Sequence, residues 1–426
     1  MKGPRFDPQR RALSLPLKSA ISRLTAYLGE RELALGLRQR ARREVDHRSF
    51  KLAVEVTLCN LVVAEVVGAE RVEVYRSLAT IRRADPWRPE VYAKGLLDAL
   101  DVMAHPKVGL MGMATGYRFD GTGGRPTEIS SRPALWSHVP PEALSLKAMD
   151  RLPEPEVLVL KGMDGEVQPI PSTRTAESYR RRVVGLNARL KALPIDLLPV
   201  ASGPPYGLGN DGRPVDPTQV TVKRYFNRGR MDRGGRLFGA YWEEMPRMDR
   251  FHRLRLGGDP VVNVDYGQLY PRLAYLVADR EPPEGDLYAV PGLEHCREGV
   301  KLMTSALLFS EHPLKAWPKG GPQAFPKGTK LGEVVGSISS KHPGLVPYFG
   351  SGLGYRLMFT ESEILLGVLE VLHREGVPAL PMHDAVIVPE RHGPRAKEVM
   401  EVAFERIGGR VSCGLVEVQG MAEVCG

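Results

Sequence analysis

Two short apolar runs next to an aspartate constrain this chain more than any other feature. The first, Val261–Asp265, holds three valines and ends in the carboxylate. In the second, 381–389, Asp384 stands at a turn and leads into the run Ala-Val-Ile-Val. Runs of β-branched residues of this length are typical of buried strands. The pattern predicts two strands, each with a carboxylate at its tip, in the C-terminal half of the chain.

A carboxylate at a strand tip has two interpretations. Alone, Asp265 could cap the helix that follows, because Pro271 stands where the first turn of a helix tolerates proline. That helix is expected to run to about Asp279. Two such carboxylates together could instead hold two Mg²⁺ ions about 3.5–4 Å apart, the arrangement that serves the attacking and leaving oxygens in phosphoryl transfer. Oxygen ligands suit Mg²⁺, with Mn²⁺ as an alternative ion.

The segment between the two runs contains a candidate phosphate-binding helix. In the stretch Arg297–Phe309, the residues at positions 297, 301, 305 and 309 fall on one face because they are spaced four apart. This face presents two cations, a small polar group and an aromatic ring. It could hold a triphosphate at one end and a base at the other, or it could be an ordinary amphipathic helix with two solvated cations.

Positive charge is concentrated in two blocks of a chain whose net charge is +9. Residues 1–50 carry 12 Lys/Arg and 5 Asp/Glu, and residues 217–256 carry 10 and 4. Arginine, which predominates in both, binds phosphate oxygens in bidentate fashion. The blocks indicate either two nucleic-acid-facing surfaces or two solvated basic faces.

Three regions are expected along the chain. Residues 1–150 combine basic helices with a strand, glycine-rich turn and strand over 108–131, which is compatible with a winged helix or a plain α+β subdomain. Residues 151–218 form a connecting, thumb-like segment and linker that contains a basic helix near 177–193. Residues 219–426 form the domain that carries the chemistry.

Composition argues against several other classes. The most apolar stretch, 52–69, is interrupted by Glu55 and Glu65 and is expected to be an amphipathic helix, not a membrane span. The basic N-terminus lacks the apolar core of a secretory signal, so a cytoplasmic protein is expected. The four cysteines are widely spaced, so neither a disulfide framework nor a zinc site is expected.

Five short motifs over about residues 233–390 resemble the family A, DNA polymerase I-type polymerases, which share their palm with single-subunit RNA polymerases. Motif A corresponds to the run from Asp265 to Gln268, motif B to Arg297 and Lys301, and motif C to His383 with Asp384. Gly235-Arg236-Leu237, followed by Met245-Pro246, corresponds to the family's stretch that contacts the primer–template duplex. Gly285-Asp-Leu-Tyr288 corresponds to the family's Gly-Asp-Ile-His motif.

The resemblance implies an α+β fold with a right-handed palm, an antiparallel sheet with helices, and helical fingers. It implies catalytic roles for Asp265 and Asp384, with Tyr266 joining them at the two metal ions. The nucleotide-binding residues would be Gln268, Tyr270, Tyr288, Arg297, Lys301, Ser305 and Phe309. The nucleic-acid-binding residues would be Lys223, Arg224, Arg228, Arg233, Arg236 and His383.

The chain also departs from the family pattern. Motif C normally continues with Glu, but here the residue is Ala385, so the metal site would rest on two carboxylates. Phe309 replaces a tyrosine and Ser305 a bulkier ring, and Glu361 lies in the helix that bears a template-contacting Gln in the family. The fingers are expected to be short, and no acidic motifs of a proofreading exonuclease are found upstream.

The residue five positions after Asp265 is informative about the sugar. Family A DNA polymerases have a glutamate there, whereas Leu269-Tyr270-Pro271 resembles family B, in which the tyrosine excludes a 2′-hydroxyl sterically. The sequence therefore favours a DNA-directed DNA polymerase acting on primer–template DNA and deoxynucleoside triphosphates, of a kind that would suit a mobile element. An RNA primase or RNA polymerase on the same palm, and a non-enzymatic replication initiator with a vestigial palm, remain alternatives.

Overall fold

The chain forms two units whose limits differ from the three expected regions. The structure, a computed structural model, describes residues 2–76, 88–119, 123–408 and 416–420. One unit comprises 1–156, 197–220 and 244–246, and the other comprises 157–196, 221–243 and 247–426. The expected connecting segment 151–218 is thus divided, since 157–196 belongs to the second unit and 197–220 to the first.

The first unit is a mixture of helices and small sheets around one apolar core. Its helices are α1 Leu15–Ala34, α2 Glu44–Val66, α3 Lys94–Ala104 and α4 Pro133–Trp136. Its strands are β1 Arg10–Ala12, β2 Val72–Val74, β3 Met111–Ala114, β4 Tyr117–Phe119, β5 Gly123–Arg125, β6 Thr127–Ser131 and β7 Met149–Arg151. They form three sheets, in the orders β2-β6-β3, β1-β7 and β4-β5.

Local sequence explains the helices of this unit. Ser14 accepts a hydrogen bond from the backbone N–H of Leu17 and so caps α1, which has a proline in its first turn. α2 buries an almost unbroken apolar run over 53–64, so most of the stretch 52–69 is a core helix that ends at Val66. Strand β1 precedes α1, and this helix ends at Ala34.

The strands expected within 108–131 are present, with β3 paired antiparallel with β6 and, between them in the chain, β4 paired with β5. The glycine-rich turn at 120–122 lies outside the described residues. The winged-helix interpretation stays a prediction.

The second unit contains the two predicted strand tips and most of the long helices. Its helices are α5 Arg174–Ala192, α6 Tyr241–Glu244, α7 Arg247–Arg253, α8 Leu269–Val277, α9 Arg297–Phe309, α10 Leu331–Lys341, α11 Leu353–Arg374 and α12 Gly393–Gly408. Its strands are β8 Leu158–Lys161, β9 Val167–Gln168, β10 Ile195–Leu197, β11 Lys223–Asn227, β12 Arg230–Phe238, β13 Leu254–Leu256, β14 Asp259–Tyr266, β15 Leu380–Met382, β16 Ala385–Pro389 and β17 Val416–Gln419.

The larger sheet of this unit is built around β14. Its strand order is β10-β13-β14-β16-β15, and β17 pairs with β14 as well. The pairs β13–β14, β14–β16, β14–β17 and β15–β16 are all antiparallel. Every residue of β16 is buried, as its unbroken β-branched run predicts. The two strands expected from the sequence are therefore confirmed as neighbours in one sheet.

A second, four-stranded sheet has the order β12-β11-β8-β9. Helix α11 packs against β12 and also contacts α8, α9 and α12. The α+β class is thus confirmed. No helix in the described ranges is long and apolar enough to cross a membrane.

Candidate active site

The register of the larger sheet brings two distant aspartates to one end. Val264 of β14 lies opposite Val386 of β16, so the next residue, Asp265, lies beside the turn that holds Asp384. Burial, with the charge of Asp384 as the second cause, raises the pKa of the Asp265 carboxyl to about 7. A cation bound between these two carboxylates would stabilise their charged forms.

The backbone on both sides of this pair is held in an uncommon conformation. His383, in the turn before Asp384, has φ 58°, and Gln268, three residues after Asp265, has φ 63°. A left-handed conformation costs a non-glycine residue about 1–3 kcal/mol and tends to occur at functional sites. Gln268 is held by a hydrogen bond of 3.0 Å that its Oε1 accepts from the N–H of Leu287.

A cavity of about 500 Å³ opens over the two aspartates. It collects residues from motif A, motif B and motif C of the sequence analysis. Eight of the predicted site residues line it: Asp265, Tyr266, Gln268, Tyr288, Arg297, Lys301, His383 and Asp384. The predicted catalytic, metal-binding and triphosphate-binding residues therefore meet in one place.

The donor atoms at this cavity fit a hard divalent cation. Asp265 Oδ1 is buried and accepts no hydrogen bond within the described structure, and Asp384 lies beside it. No group of three or more His, Cys, Asp or Glu side chains that could hold a metal ion is found among the described residues. A pair of carboxylates is still compatible with Mg²⁺, which commonly binds one or two carboxylates together with substrate phosphates and waters.

Helix α9 begins at Arg297 and ends at Phe309, as the spacing predicted. Arg297 is 46% exposed and pairs with Asp286, at 2.6 Å between Nε and Oδ2, and its guanidinium lies 5.5 Å from the ring centre of Tyr288. Lys301, one turn further on, is exposed, and its positive charge offsets part of the rise in the pKa of Asp265. Both cations therefore face the cavity from the N-terminal half of α9.

The side chains of Tyr266 and Tyr288, both predicted to bind at the site, are buried. The Tyr266 ring is buried on the other face of β14, where its hydroxyl donates to the carbonyl oxygen of Met400. Only its backbone is left to contribute at the predicted metal site, because successive strand residues alternate between faces. Tyr288 is 3% exposed and lies in the core under Arg297, so it shapes the wall of the cavity.

Tyr270, Phe309 and Ser305 do not line this cavity. The Tyr270 and Phe309 rings meet edge to face, with centres 5.4 Å apart. Arg236, expected to follow the primer–template, instead donates from Nε to Glu361 Oε1 at 2.7 Å and from Nη2 to the Tyr270 hydroxyl at 2.9 Å. We call Tyr270, Phe309, Arg236 and Glu361 the Tyr270 cluster.

The other basic residues assigned to nucleic acid differ in exposure. Arg224 is fully buried, donates to Gly235 O and Ser362 Oγ, and pairs with Glu363. A phosphate contact by Arg224 is therefore excluded in this conformation. Lys223 is half-buried at the start of β11, while Arg228 and Arg233 lie beside Glu311 at the β11–β12 hairpin.

Sequence reasoning missed several residues of the cavity wall. Arg247 and Arg250 lie in the second basic block, which was identified only as a whole. Burial lowers the pKa of Arg250 to about 10, with the charge of Arg247 as a second cause. Glu417 of β17 pairs directly with Asp265 across the sheet. No motif surrounds Glu417, so only the strand pairing could reveal it.

Comparison with known proteins adds no family assignment. No protein-family model matches the chain, and no curated protein shows significant similarity to it.

Proposed function

We propose that this chain is a template-directed DNA polymerase that joins nucleotides by phosphoryl transfer at the cavity over Asp265 and Asp384. The observation that carries the proposal is the convergence of these two strand-tip carboxylates with Arg297 and Lys301 of α9. Residues chosen as three separate motifs line one cavity, and the motifs come from distant parts of the chain. A structural role alone gives no reason for an unpaired buried carboxylate oxygen at this point.

Each residue has a role that follows from its position. Divalent ions, when bound by Asp265 and Asp384, would stabilise the charge on the reacting oxygens. Lys301, exposed at the cavity, would bind the triphosphate, and Arg297 would exchange its contact with Asp286 for a phosphate. Gln268 keeps motif A in place through Leu287. Catalysis would thus rest on positioning and electrostatic stabilisation.

Primer extension tests this function. The purified protein is supplied with a primed DNA template, Mg²⁺ and either dNTPs or NTPs, and separately with an unprimed template. We expect template-dependent extension of the primer with dNTPs. Extension with NTPs alone, or synthesis without a primer, would favour an RNA-synthesising enzyme. No incorporation under any of these conditions would favour the non-enzymatic initiator.

One observation favours the RNA-synthesising alternative. Tyr270, the residue expected to exclude a 2′-hydroxyl, lies outside the residues that line the cavity. Its ring must reach the sugar of an incoming nucleotide for the DNA assignment to hold. The dNTP and NTP arms of the same experiment distinguish the two enzymes.

A further inference from the structure

Glu361 is a buried carboxylate to which the motifs assign no catalytic or metal-binding part. It lies on α11 and is 1% exposed. Arg236 holds it with a two-pronged contact, 2.7 Å from Nε to Oε1 and 3.0 Å from Nη2 to Oε2. Burying an ion pair of this kind is a poor way to gain stability, because apolar side chains of similar volume commonly serve as well. Its placement calls for a different explanation.

The contacts of Glu361 converge on the hydroxyl of Tyr270. Arg236 links the two groups, because its Nη2 donates a hydrogen bond of 2.9 Å to that hydroxyl and another of 3.0 Å to Glu361 Oε2. Burial and then the charge of Glu361 raise the pKa of the Tyr270 hydroxyl, so it remains protonated and able to donate. Burial alone would lower the pKa of Arg236, but its hydrogen bonds and charge contact with Glu361 raise it.

The ring of Tyr270 is held from its other side as well. The Phe309 ring meets it edge to face, and Tyr355 meets Phe309 in the same manner at 5.3 Å. Gly354 leaves the space that Phe309 occupies, since a Cβ there would lie 2.5 Å from ring carbons. The ring is thus fixed both through its hydroxyl and through its edge, beyond what core packing alone requires.

The fixed position of the Tyr270 ring matters because Tyr270 and Phe309 lie on the two helices next to the site residues. Tyr270 follows Asp265 by five residues in the first turn of α8, and Phe309 ends the helix that begins at Arg297. The cluster therefore joins the helix after the carboxylate strand to the helix that bears the cations. Its residues do not line the cavity, but the charge of Asp384 acts on both Tyr270 and Glu361, so the cluster adjoins the carboxylate pair. Selectivity for a sugar depends on holding a blocking group to within about 0.5 Å.

We infer that Glu361 is a positioning residue that sets the choice between deoxyribonucleotides and ribonucleotides by holding Arg236 against the Tyr270 hydroxyl. This inference rests on the proposed polymerase function. Without Glu361 the Tyr270 ring remains, but it is free to turn away from a 2′-hydroxyl. Ribonucleotide incorporation then rises while dNTP incorporation changes little.

The test is a double-mutant cycle on sugar discrimination, defined as kcat/KM for a dNTP divided by kcat/KM for the matching NTP. Glu361→Gln removes the charge, and Tyr270→Phe removes only the hydroxyl. Each is expected to lower discrimination about tenfold, which corresponds to about 1.4 kcal/mol. The double variant is expected to match the single ones, because both changes break the same link.

Glu363→Gln is the matched control. Glu363 lies on the same helix and pairs with Arg182 and Arg224, away from Tyr270. The Glu363→Gln substitution removes an ion pair of α11 and is expected to leave sugar discrimination unchanged. If Glu361→Gln does not fold, Glu361→Asp replaces it in the cycle, because a carboxylate shortened by one methylene no longer meets Arg236 in the same geometry and discrimination must still fall.

Three results would overturn the inference while leaving the polymerase assignment intact. Discrimination could stay unchanged in both single variants, the two effects could add in the double variant, or Glu363→Gln could lower discrimination equally. A wild-type protein that incorporates no nucleotide overturns the polymerase assignment and this inference together.

Discussion

Gly354→Ala tests the packing of the Tyr270 cluster with a single methyl group. Gly354 is the second residue of α11, and an added Cβ would lie 2.5 Å from two ring carbons of Phe309, where ordinary contact is 3.4–4 Å. The methyl group must therefore displace the ring or the helix. Overpacking of this kind costs about 1–3 kcal/mol of unfolding free energy.

Gly367→Ala is its control on the same helix. Nothing lies within 4 Å of a Cβ added at Gly367, and its φ is not positive. Alanine in a helix interior is more favourable than glycine by about 0.5–1 kcal/mol. The two variants are therefore expected to shift stability in opposite directions.

Urea titrations followed by tryptophan fluorescence measure both shifts, since Trp242 and Trp317 belong to the same unit as α11. We expect a lower midpoint for Gly354→Ala and a higher one for Gly367→Ala. Gly354→Ala should also lower sugar discrimination, because displacing Phe309 releases the edge of Tyr270. A Gly354→Ala protein as stable and as selective as wild type would refute the close fit described for this cluster.

Three further predictions concern other parts of the molecule. Burial lowers the pKa of His342, so the unfolded chain binds more protons than the folded one. The unfolding free energy should therefore fall as the pH drops below about 6.5, by up to about 1.4 kcal/mol per pH unit until the folded-state pKa is reached. His342→Asn should flatten this dependence in a pH series of urea titrations. Tyr270→Ala should raise ribonucleotide incorporation, with a modest fall in dNTP use through lost packing, measured as kcat/KM for each nucleotide. If the first basic block binds duplex DNA, each lost phosphate contact should reduce the log–log salt slope by about 0.9. Replacing Arg42, whose side chain is only 6% exposed beside Glu32, should leave the slope unchanged. The exposed arginines to replace by glutamine are Arg40, Arg43 and Arg48.

The parts of the site that could be predicted are those that the local sequence pattern determines. The β-branched runs at 261–265 and 385–389 specify strands, and the four-residue spacing from Arg297 specifies one helix face. These elements are confirmed, and their tips meet. Local pattern sufficed because each element forms from its own periodicity and the aspartates lie at element ends.

The remainder depended on tertiary contacts that no local pattern records. Arg224 alternates with half-buried neighbours on β11, and only the packing of α11 makes its face the inner one. Glu417 could not be predicted as a site residue, because only its pairing with Asp265 across the sheet brings it to the cavity. Glu361 occupies the position of a template contact in the family, whereas the structure pairs it with Arg236, which also binds the Tyr270 hydroxyl.

The most direct test of the central claim is the loss of activity on neutralising either carboxylate. Asp265→Asn and Asp384→Asn are compared with Asp259→Asn, which changes an aspartate at the opposite end of the same strand, paired with Arg391. Primer extension and Mn²⁺ binding, followed by electron paramagnetic resonance, are measured on each protein, with DNA binding as the check on folding. We predict that both site variants lose extension and weaken Mn²⁺ binding while DNA binding persists, and that Asp259→Asn resembles wild type. Wild-type extension by either site variant would contradict the account.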